Sequence, residues 1–232
     1  RNVDSYLWKS PEGESVNFAT LLKMVAAISP DFRVRFSTSH PKDISDEVLL
    51  AMASADNICK HIHLPLQSGS TAMLEKMRRG YTREWYLERV ARIRDILPGC
   101  GLTTDVIAGF SGETEQDHRD TLSLMEEVCF DSAFMFQYSE RPGTLASRKY
   151  PDDIPLEIKT KRLEEIIALQ GRMSLKSYQK CIGNEYEVLV EGPSKKNPDE
   201  LCGRASNNKM CVWPDTVHKA GDYVEVEVIN CT

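Results

Sequence analysis

Four times in the first 180 residues a short apolar run ends in a polar or glycine-containing turn and gives way to helical spacing. This recurrence limits the fold more than any other feature of the sequence. The runs lie at 33–37, 61–66, 102–110 and 131–138, and the turns after them are Thr38-Ser-His-Pro41, Gln67-Ser-Gly-Ser70, Ser111-Gly-Glu-Thr-Glu115 and Ser139-Glu-Arg-Pro-Gly-Thr144. A helix is predicted over 15–29 from the spacing of Phe18, Leu21, Leu22, Val25 and Ile28. Ser45 caps a second helix to about 55, Gly80 closes a third over 71–78, and Thr82 caps a fourth to about 97. Leu87, Val90, Ala91 and Arg94 step down one face of that fourth helix. Thr114 and Asp117 are placed for a capping box on a fifth, to about 128, and Pro155 opens a sixth, to about 181, with Leu163, Ile166, Ile167 and Met173 as its buried stripe. Strands alternating with helices at these spacings build βα units around a parallel sheet. Such sheets bind ligands at the carboxyl ends of their strands. Those ends here carry Ser37-Thr-Ser39, Gln67 with Ser68, Asp105 with Gly109, and Gln137-Tyr138-Ser139.

Near residue 180 the period changes. Glu185-Tyr-Glu-Val-Leu-Val-Glu and Asp222-Tyr-Val-Glu-Val-Glu-Val-Ile alternate strictly, with Pro193, Gly203, Asn207-Asn208 and Pro214 between them. That pattern predicts a small β-barrel behind an α/β domain. No apolar run approaches the ~20 residues of a membrane span, and no signal peptide is visible, so a cytoplasmic protein is expected. The net charge of −6 argues against nucleic-acid binding by bulk charge and leaves room for a local basic face. The seven cysteines contain no Cys-x-x-Cys pair and are expected to be reduced thiols.

Several residue sets carry chemistry. Gln67 offers an amide, Arg79 a charged fork for a carboxylate or phosphate, and Asp105 an acceptor for ribose hydroxyls. Alternatively, Gln67 caps a turn, Arg79 is solvated and Asp105 caps a loop. The turn after Gln67 leads into a helix N-terminus, a layout suited to holding a polar ligand. His61 and His63 share a strand face and, with Asp105, would suit a metal-dependent barrel hydrolase, although ordinary strand histidines have the same spacing. Ser111-Gly-Glu-Thr-Glu115 lacks the lysine and glycine spacing of a phosphate loop, and its acids suit a helix start. Phe134, Phe136 and Tyr138 alternate and are expected to fill the barrel interior, with Tyr138 nearest a ligand. Lys195, Lys196, Arg204 and Lys209 give the small barrel a basic side that could bind RNA, or a set of solvated loop charges.

The segments Ser37-Thr-Ser-His-Pro41, His63-Leu-Pro-Leu-Gln-Ser-Gly-Ser70, Lys76-Met-Arg-Arg-Gly-Tyr-Thr82, Thr104-Asp-Val-Ile-Ala-Gly-Phe-Ser-Gly-Glu-Thr-Glu115 and Tyr138-Ser-Glu-Arg-Pro-Gly-Thr144 occur in that order. Together they resemble the radical S-adenosylmethionine (SAM) methylthiotransferases, and the resemblance continues into a TRAM-like barrel, covering essentially the whole chain. Val190-Glu-Gly-Pro-Ser-Lys-Lys-Asn197 and Glu200-Leu-Cys-Gly-Arg-Ala-Ser-Asn-Asn-Lys209 point to the branch that acts on isopentenylated adenosine beside the tRNA anticodon. The resemblance implies a partial radical SAM (βα) barrel over 1–180 and a TRAM-like, RNA-binding β-barrel over 181–232. It implies SAM cleavage at one 4Fe-4S cluster, hydrogen abstraction from adenine C2, and methylthio transfer from a second 4Fe-4S cluster. It places SAM against Gln67, Ser68, Arg79, Asp105, Val106, Ile107, Gly109 and Tyr138. It places RNA against Arg141, Lys195, Lys196, Arg204 and Lys209. The implied partners are a tRNA anticodon stem-loop and an electron donor, and the implied state is a monomer.

The sequence departs from that family in two ways. Ser111 stands where the family has proline, and no Cys-x-x-x-Cys-x-x-Cys run is present. The start at Arg1-Asn-Val-Asp-Ser-Tyr resembles the middle of the family sequence, and the barrel stops before its expected last strand. The expectation is therefore a C-terminal part that is inactive alone. Other readings are a methylthiotransferase for threonylcarbamoyladenosine, the metal-dependent hydrolase, and a non-catalytic RNA-binding piece.

Overall fold

The computed structural model describes residues 2–37, 39–215 and 217–231. Thr38, one of the expected polar strand-end residues, and Arg1 of the opening motif lie outside them. The chain opens with a hairpin, β1 (Leu7–Lys9) and β2 (Ser15–Asn17), turned at Pro11-Glu-Gly13, where Gly13 has φ +93. Two three-residue strands lie below the length that sequence periodicity can register. Asn17 then caps α1 (Phe18–Ala26), and Ser45 caps α2 (Asp46–Ala53). Next come β3 (His61–His63), α3 (Thr71–Lys76), α4 (Arg83–Ile96), β4 (Gly101–Ala108), α5 (Glu115–Val128) and β5 (Ser132–Gln137). The α5 capping box of Thr114 and Asp117 forms as expected. A short α6 (Leu145–Lys149), absent from the sequence reading, precedes the long α7 (Leu156–Gln179).

β3, β4 and β5 pair in parallel in that order. The expected first strand does not form: Val34 makes a single parallel bridge to Ile58. The segment stays along the edge of β3, with Val34 N donating to Asn57 O at 2.8 Å and Ser39 N to His63 O at 3.3 Å, while Arg33 and Arg35 reach the C-terminal strands. Arg33 Nη1 donates to Arg204 O at 2.7 Å, and Arg35 Nη2 donates to Ala205 O at 2.8 Å.

One face of the sheet is the core. Ile62, Leu64, Leu66, Val106 and Ala108 are fully buried against Leu49, Met52, Tyr86, Ile93, Leu124 and Val128. Burying each such large side chain contributes roughly 1.5–3 kcal/mol. On α4 the buried residues are Tyr86, Val90 and Ile93, a stripe displaced from the expected one, and Ala91 and Arg94 are exposed. The displacement follows from Tyr86, whose hydroxyl donates to Leu64 O at 2.8 Å and so can be buried whole. On α7, Ile166 and Met173 are buried as expected, whereas Ile167 is half exposed.

The other face of the sheet is open. Phe134 is 60% exposed and Phe136 52%, so the expected packing of these rings into a closed barrel interior does not occur. Their parity puts them beside Asp105 and Ile107, opposite the helices.

The C-terminal strands β6 (Glu185–Pro193), β7 (Glu200–Ala205), β8 (Met210–Pro214) and β9 (Tyr223–Glu227) form one antiparallel sheet in the order β8-β7-β6-β9, with a bulge at Val190/Gly192. This curled sheet meets the amino ends of the parallel strands. Ser206 Oγ accepts from Lys60 N at 3.0 Å, and Lys209 Nζ lies 3.2 Å from Asp131 Oδ1. Gly101 has to be glycine here, because a Cβ would sit 2.2 Å from Asn207 O.

Candidate functional site at the carboxyl ends of the strands

At the opposite ends of the same strands the polar groups are arranged differently. Gln67 follows β3 with φ +68, a left-handed conformation that costs a non-glycine residue roughly 1–2 kcal/mol. The backbone is held there from both sides. Gln67 N donates to Asp105 O at 2.8 Å and Ile107 N donates to Gln67 O at 2.9 Å. The Gln67 side-chain amide makes no hydrogen bond among the described residues. Strain of this kind, with a polar side chain left unused, concentrates at ligand sites.

Arg79 stands on the turn that ends α3. Its Nε donates to Tyr81 Oη at 3.3 Å, and its guanidinium lies 5.8 Å from that ring's centroid. Tyr81 Oη in turn donates to Pro65 O and Leu66 O. The arginine is thus aligned through the backbone just before Gln67, and its terminal nitrogens remain available to an anion.

Asp105 projects from the open face of β4, and its Oδ1 lies 3.3 Å from His63 Nε2. Thr103 Oγ1 is 3.0 Å from both His63 Nδ1 and His61 Nε2. Burial first, and the nearby Arg35 charge second, push the His61 pKa down to about 4. The two histidines and Asp105 therefore face one another through hydrogen bonds. Among the described residues no group of three histidine, cysteine or acidic side chains could hold a metal ion. The geometry required by the hydrolase reading is not present.

The remaining expected contacts divide by where their side chains point. Ile107 lies on the open face, half-buried. Val106 is fully buried, its side chain on the helix side and its backbone between β5 and Gln67. Ser68 is fully buried, its hydroxyl 3.2 Å from Thr121 Oγ1. Gly69 N also donates to Thr121 Oγ1, and Ser70 caps α3 while bonding Asp117. Burial pushes Asp117 up, but bonds from Ser70 and Thr114 outweigh it and hold its carboxyl below the usual range. The N-terminus of α3 is thus sealed against α5, so the helix start after Gln67 is not an open anion cradle. Gln137, another expected strand-end group, bonds Thr160 on α7 instead. Gly109, φ +75, packs so tightly that a Cβ would meet Lys159 Cγ at 2.4 Å. The Tyr138 ring lies edge-on to Phe110 at 4.8 Å and within 5.2 Å of Lys159 Nζ.

Sequence reasoning missed the support beneath these groups. Glu113 Oε2 accepts from Gly109 N at 2.9 Å and from Arg162 Nη1 at 2.8 Å, with both charged side chains at least nine-tenths buried. Burial raises the Glu113 pKa against the pull of those two bonds. The Ser111–Glu115 turn is thus filled by its own carboxylate, in keeping with a helix start. The signal was present: Lys159 and Arg162 continue the buried spacing of Ile166, Leu169 and Met173 toward the start of α7.

A cleft of about 530 Å³ runs along the open face from Asp105 and His63 past Phe134 and Phe136 to Arg204 and Asn208 of the C-terminal sheet. Of the expected RNA contacts, Arg141, Lys195 and Lys196 are exposed. Arg204 pairs with both carboxylate oxygens of Glu191, at 2.7 and 2.6 Å. Lys209 is committed to Asp131, Ser177 and Cys181 Sγ. These two residues join structural elements and contribute little free positive charge. All seven cysteines are free thiols.

Residues 13–125 match the Radical SAM superfamily and residues 179–232 match the TRAM domain. The chain thus carries a radical SAM domain followed by a TRAM domain. Its relatives narrow the class. It is 57% identical over 232 residues to the tRNA-2-methylthio-N(6)-dimethylallyladenosine synthase of Bacteroides thetaiotaomicron, covering 100% of this chain and 51% of the relative. It is 55% identical to the protein of that name from Phocaeicola vulgatus, with the same coverage, and 50% identical to that from Porphyromonas gingivalis over 98% of this chain and 49% of the relative. The chain thus spans about half the length of these relatives. Among solved structures it is similar to coproporphyrinogen III oxidase (HemN) of Escherichia coli, a radical SAM enzyme. The TM-score is 0.50 at 15% identity, covering 82% of this chain and 45% of that one, a likeness of fold alone. No helix among the described residues is long and apolar enough to cross a membrane.

Proposed function

We propose that this chain supplies the SAM-binding and RNA-binding parts of a radical SAM tRNA methylthiotransferase acting at C2 of N6-isopentenyladenosine beside the anticodon. The observation that carries the reading is Gln67: a strained left-handed residue with an unused amide, pinned between Asp105 and Ile107 and near an aligned Arg79. In this reading the Arg79 guanidinium takes the methionine carboxylate and Asp105 takes ribose hydroxyls. Gln67 bonds a polar edge of the cofactor, and Ile107 with the backbone of Val106 and Gly109 walls its adenine. Tyr138 closes the far side. Ser68 leaves the proposed set because its hydroxyl is occupied. When bound and reduced by one electron from the proposed donor, SAM would release methionine and supply the carbon radical that takes the adenine C2 hydrogen. The 4Fe-4S clusters do not fit the residues present: the 232 residues contain no Cys-x-x-x-Cys-x-x-Cys run.

The exposed Phe134 and Phe136 favour an isopentenyl over a threonylcarbamoyl substrate. A prenyl chain needs an apolar wall, whereas threonylcarbamoyl brings a carboxylate that these rings cannot pair. Positions 1–180 and 181–232 are the proposed working units. The first holds SAM, and the second, with Arg141, Lys195 and Lys196, meets the anticodon stem-loop. A cytoplasmic monomer served by an electron donor completes the proposal. Mass analysis of tRNA nucleosides from cells lacking the full-length gene tests it. The expected result is loss of the methylthio group from isopentenyladenosine alone. Loss from threonylcarbamoyladenosine instead would overturn the substrate assignment.

A further inference from the structure

We infer that His61, Thr103 and His63 form a one-directional hydrogen-bond relay whose work is to position Asp105. The inference rests on the proposed role of Asp105 as a SAM contact. The geometry is a chain of three contacts along the open sheet face: His61 Nε2 to Thr103 Oγ1 at 3.0 Å, Thr103 Oγ1 to His63 Nδ1 at 3.0 Å, and His63 Nε2 to Asp105 Oδ1 at 3.3 Å. With both rings neutral, as we propose, proton counting gives its direction. An ionised carboxylate only accepts, so His63 Nε2 carries a proton and donates. In a neutral ring Nδ1 is then bare and accepts. The single Thr103 proton goes to that nitrogen, which leaves the hydroxyl oxygen as an acceptor for His61 Nε2–H.

Both rings are then neutral Nε2–H tautomers, and every link has one donor and one acceptor. This arrangement suits the setting: His63 and Thr103 are buried, and the low pKa of His61 keeps that ring uncharged. Arg35 and Asp131 are the charged groups that face His61 from neighbouring elements. Phe134 holds the His63 ring from the side, edge-on, with centroids 5.9 Å apart. The relay acts through Asp105, so its members are positioning residues. It fixes Oδ1 and leaves Oδ2 without a hydrogen bond among the described residues, on a side chain that lines the cleft. Three of the four ring nitrogens of these histidines are taken up by the three contacts.

Long-range ¹⁵N–¹H spectra of the histidine rings, on this chain near neutral pH, test the direction without any ligand. Both His61 and His63 should appear as Nε2–H tautomers. A Nδ1–H tautomer or an imidazolium at His63 would overturn the relay as drawn. Titration with SAM followed in the same spectra tests the consequence. Thr103→Val keeps the shape of a buried strand residue but cannot donate, and should weaken SAM binding about tenfold. Thr103→Ser should restore it. Asp105→Ala should weaken binding at least as much as Thr103→Val. If Asp105→Ala binds weakly and Thr103→Val binds like the parent, the positioning role fails and the pocket stands. If Asp105→Ala binds like the parent, or the parent does not bind, the pocket reading itself fails, whatever the tautomers are.

Discussion

The two ends of the parallel strands use the same residue types in opposite ways. At the amino ends, Arg33, Arg35, Asp131 and Lys209 bond the C-terminal sheet and α7, and Lys60 spends its ammonium on the carbonyls of Met52, Ala55 and Ile58. At the carboxyl ends, Gln67 holds a costly conformation with its amide unused, Arg79 keeps its terminal nitrogens, and half-buried Asp105 has one oxygen unclaimed. Polar groups satisfied within the protein hold domains together. In the proposed reading, polar groups held in place and left unsatisfied are kept for SAM. Substitutions at the two ends should therefore move stability and binding in different directions.

The largest effect is expected under the site. Arg162→Met leaves Glu113 buried without its partner and should cost about 3–5 kcal/mol in urea unfolding. A loss below about 1 kcal/mol would mean that water reaches Glu113 and that the brace is unimportant. Next comes the amino end. Asp131→Ala strands Lys209 and removes the acceptor for Leu102 N, which it binds at 2.7 Å. A loss of about 3 kcal/mol is expected, with the C-terminal sheet released to proteolysis first.

His61 gives a pH test. Its folded pKa of about 4 lies below the unfolded 6.5, so the unfolded state binds more protons between those values. Stability should therefore fall as pH drops from about 6.5 to 4, and His61→Gln should remove that part of the slope. Asp4 works the other way in the same window, since burial raises its pKa from 3.8 to about 6 and its contribution is lost as pH rises. Only the difference between variant and parent isolates His61. A difference curve that is flat from pH 4 to 6.5 would place the ring in water.

The smallest effect is on RNA. Lys195→Ala with Lys196→Ala should leave stability unchanged and lower the slope of log affinity against log salt by roughly 1.5 for an anticodon stem-loop. An unchanged slope would move the RNA face elsewhere.

Much of this architecture was legible in the sequence because helices and buried strands advertise themselves by period and cap. Ser45, Thr82 and the Thr114–Asp117 box sit where the chain said they would. The strand expected at 33–37 is reduced to a single bridge at Val34, and its two arginines serve contacts more than 150 residues away, which no local pattern records. Gln67 and Asp105 were legible as polar strand ends. The fate of Ser68, Arg204 and Lys209 was not, since a polar side chain looks the same in sequence whether its partner is a ligand or Thr121, Glu191 and Asp131. The openness of the Phe134 face was also invisible, because alternation gives two faces and does not say which is covered.

The measurement that tests the central contrast most directly is Gln67→Gly, followed by both urea unfolding and SAM titration. Glycine relieves the left-handed backbone and removes the amide. The account predicts a chain about 1 kcal/mol more stable that binds SAM more weakly than the parent. A variant that gains stability and binds SAM as the parent does would show that the strained residue at the carboxyl end serves no ligand, and would contradict the account.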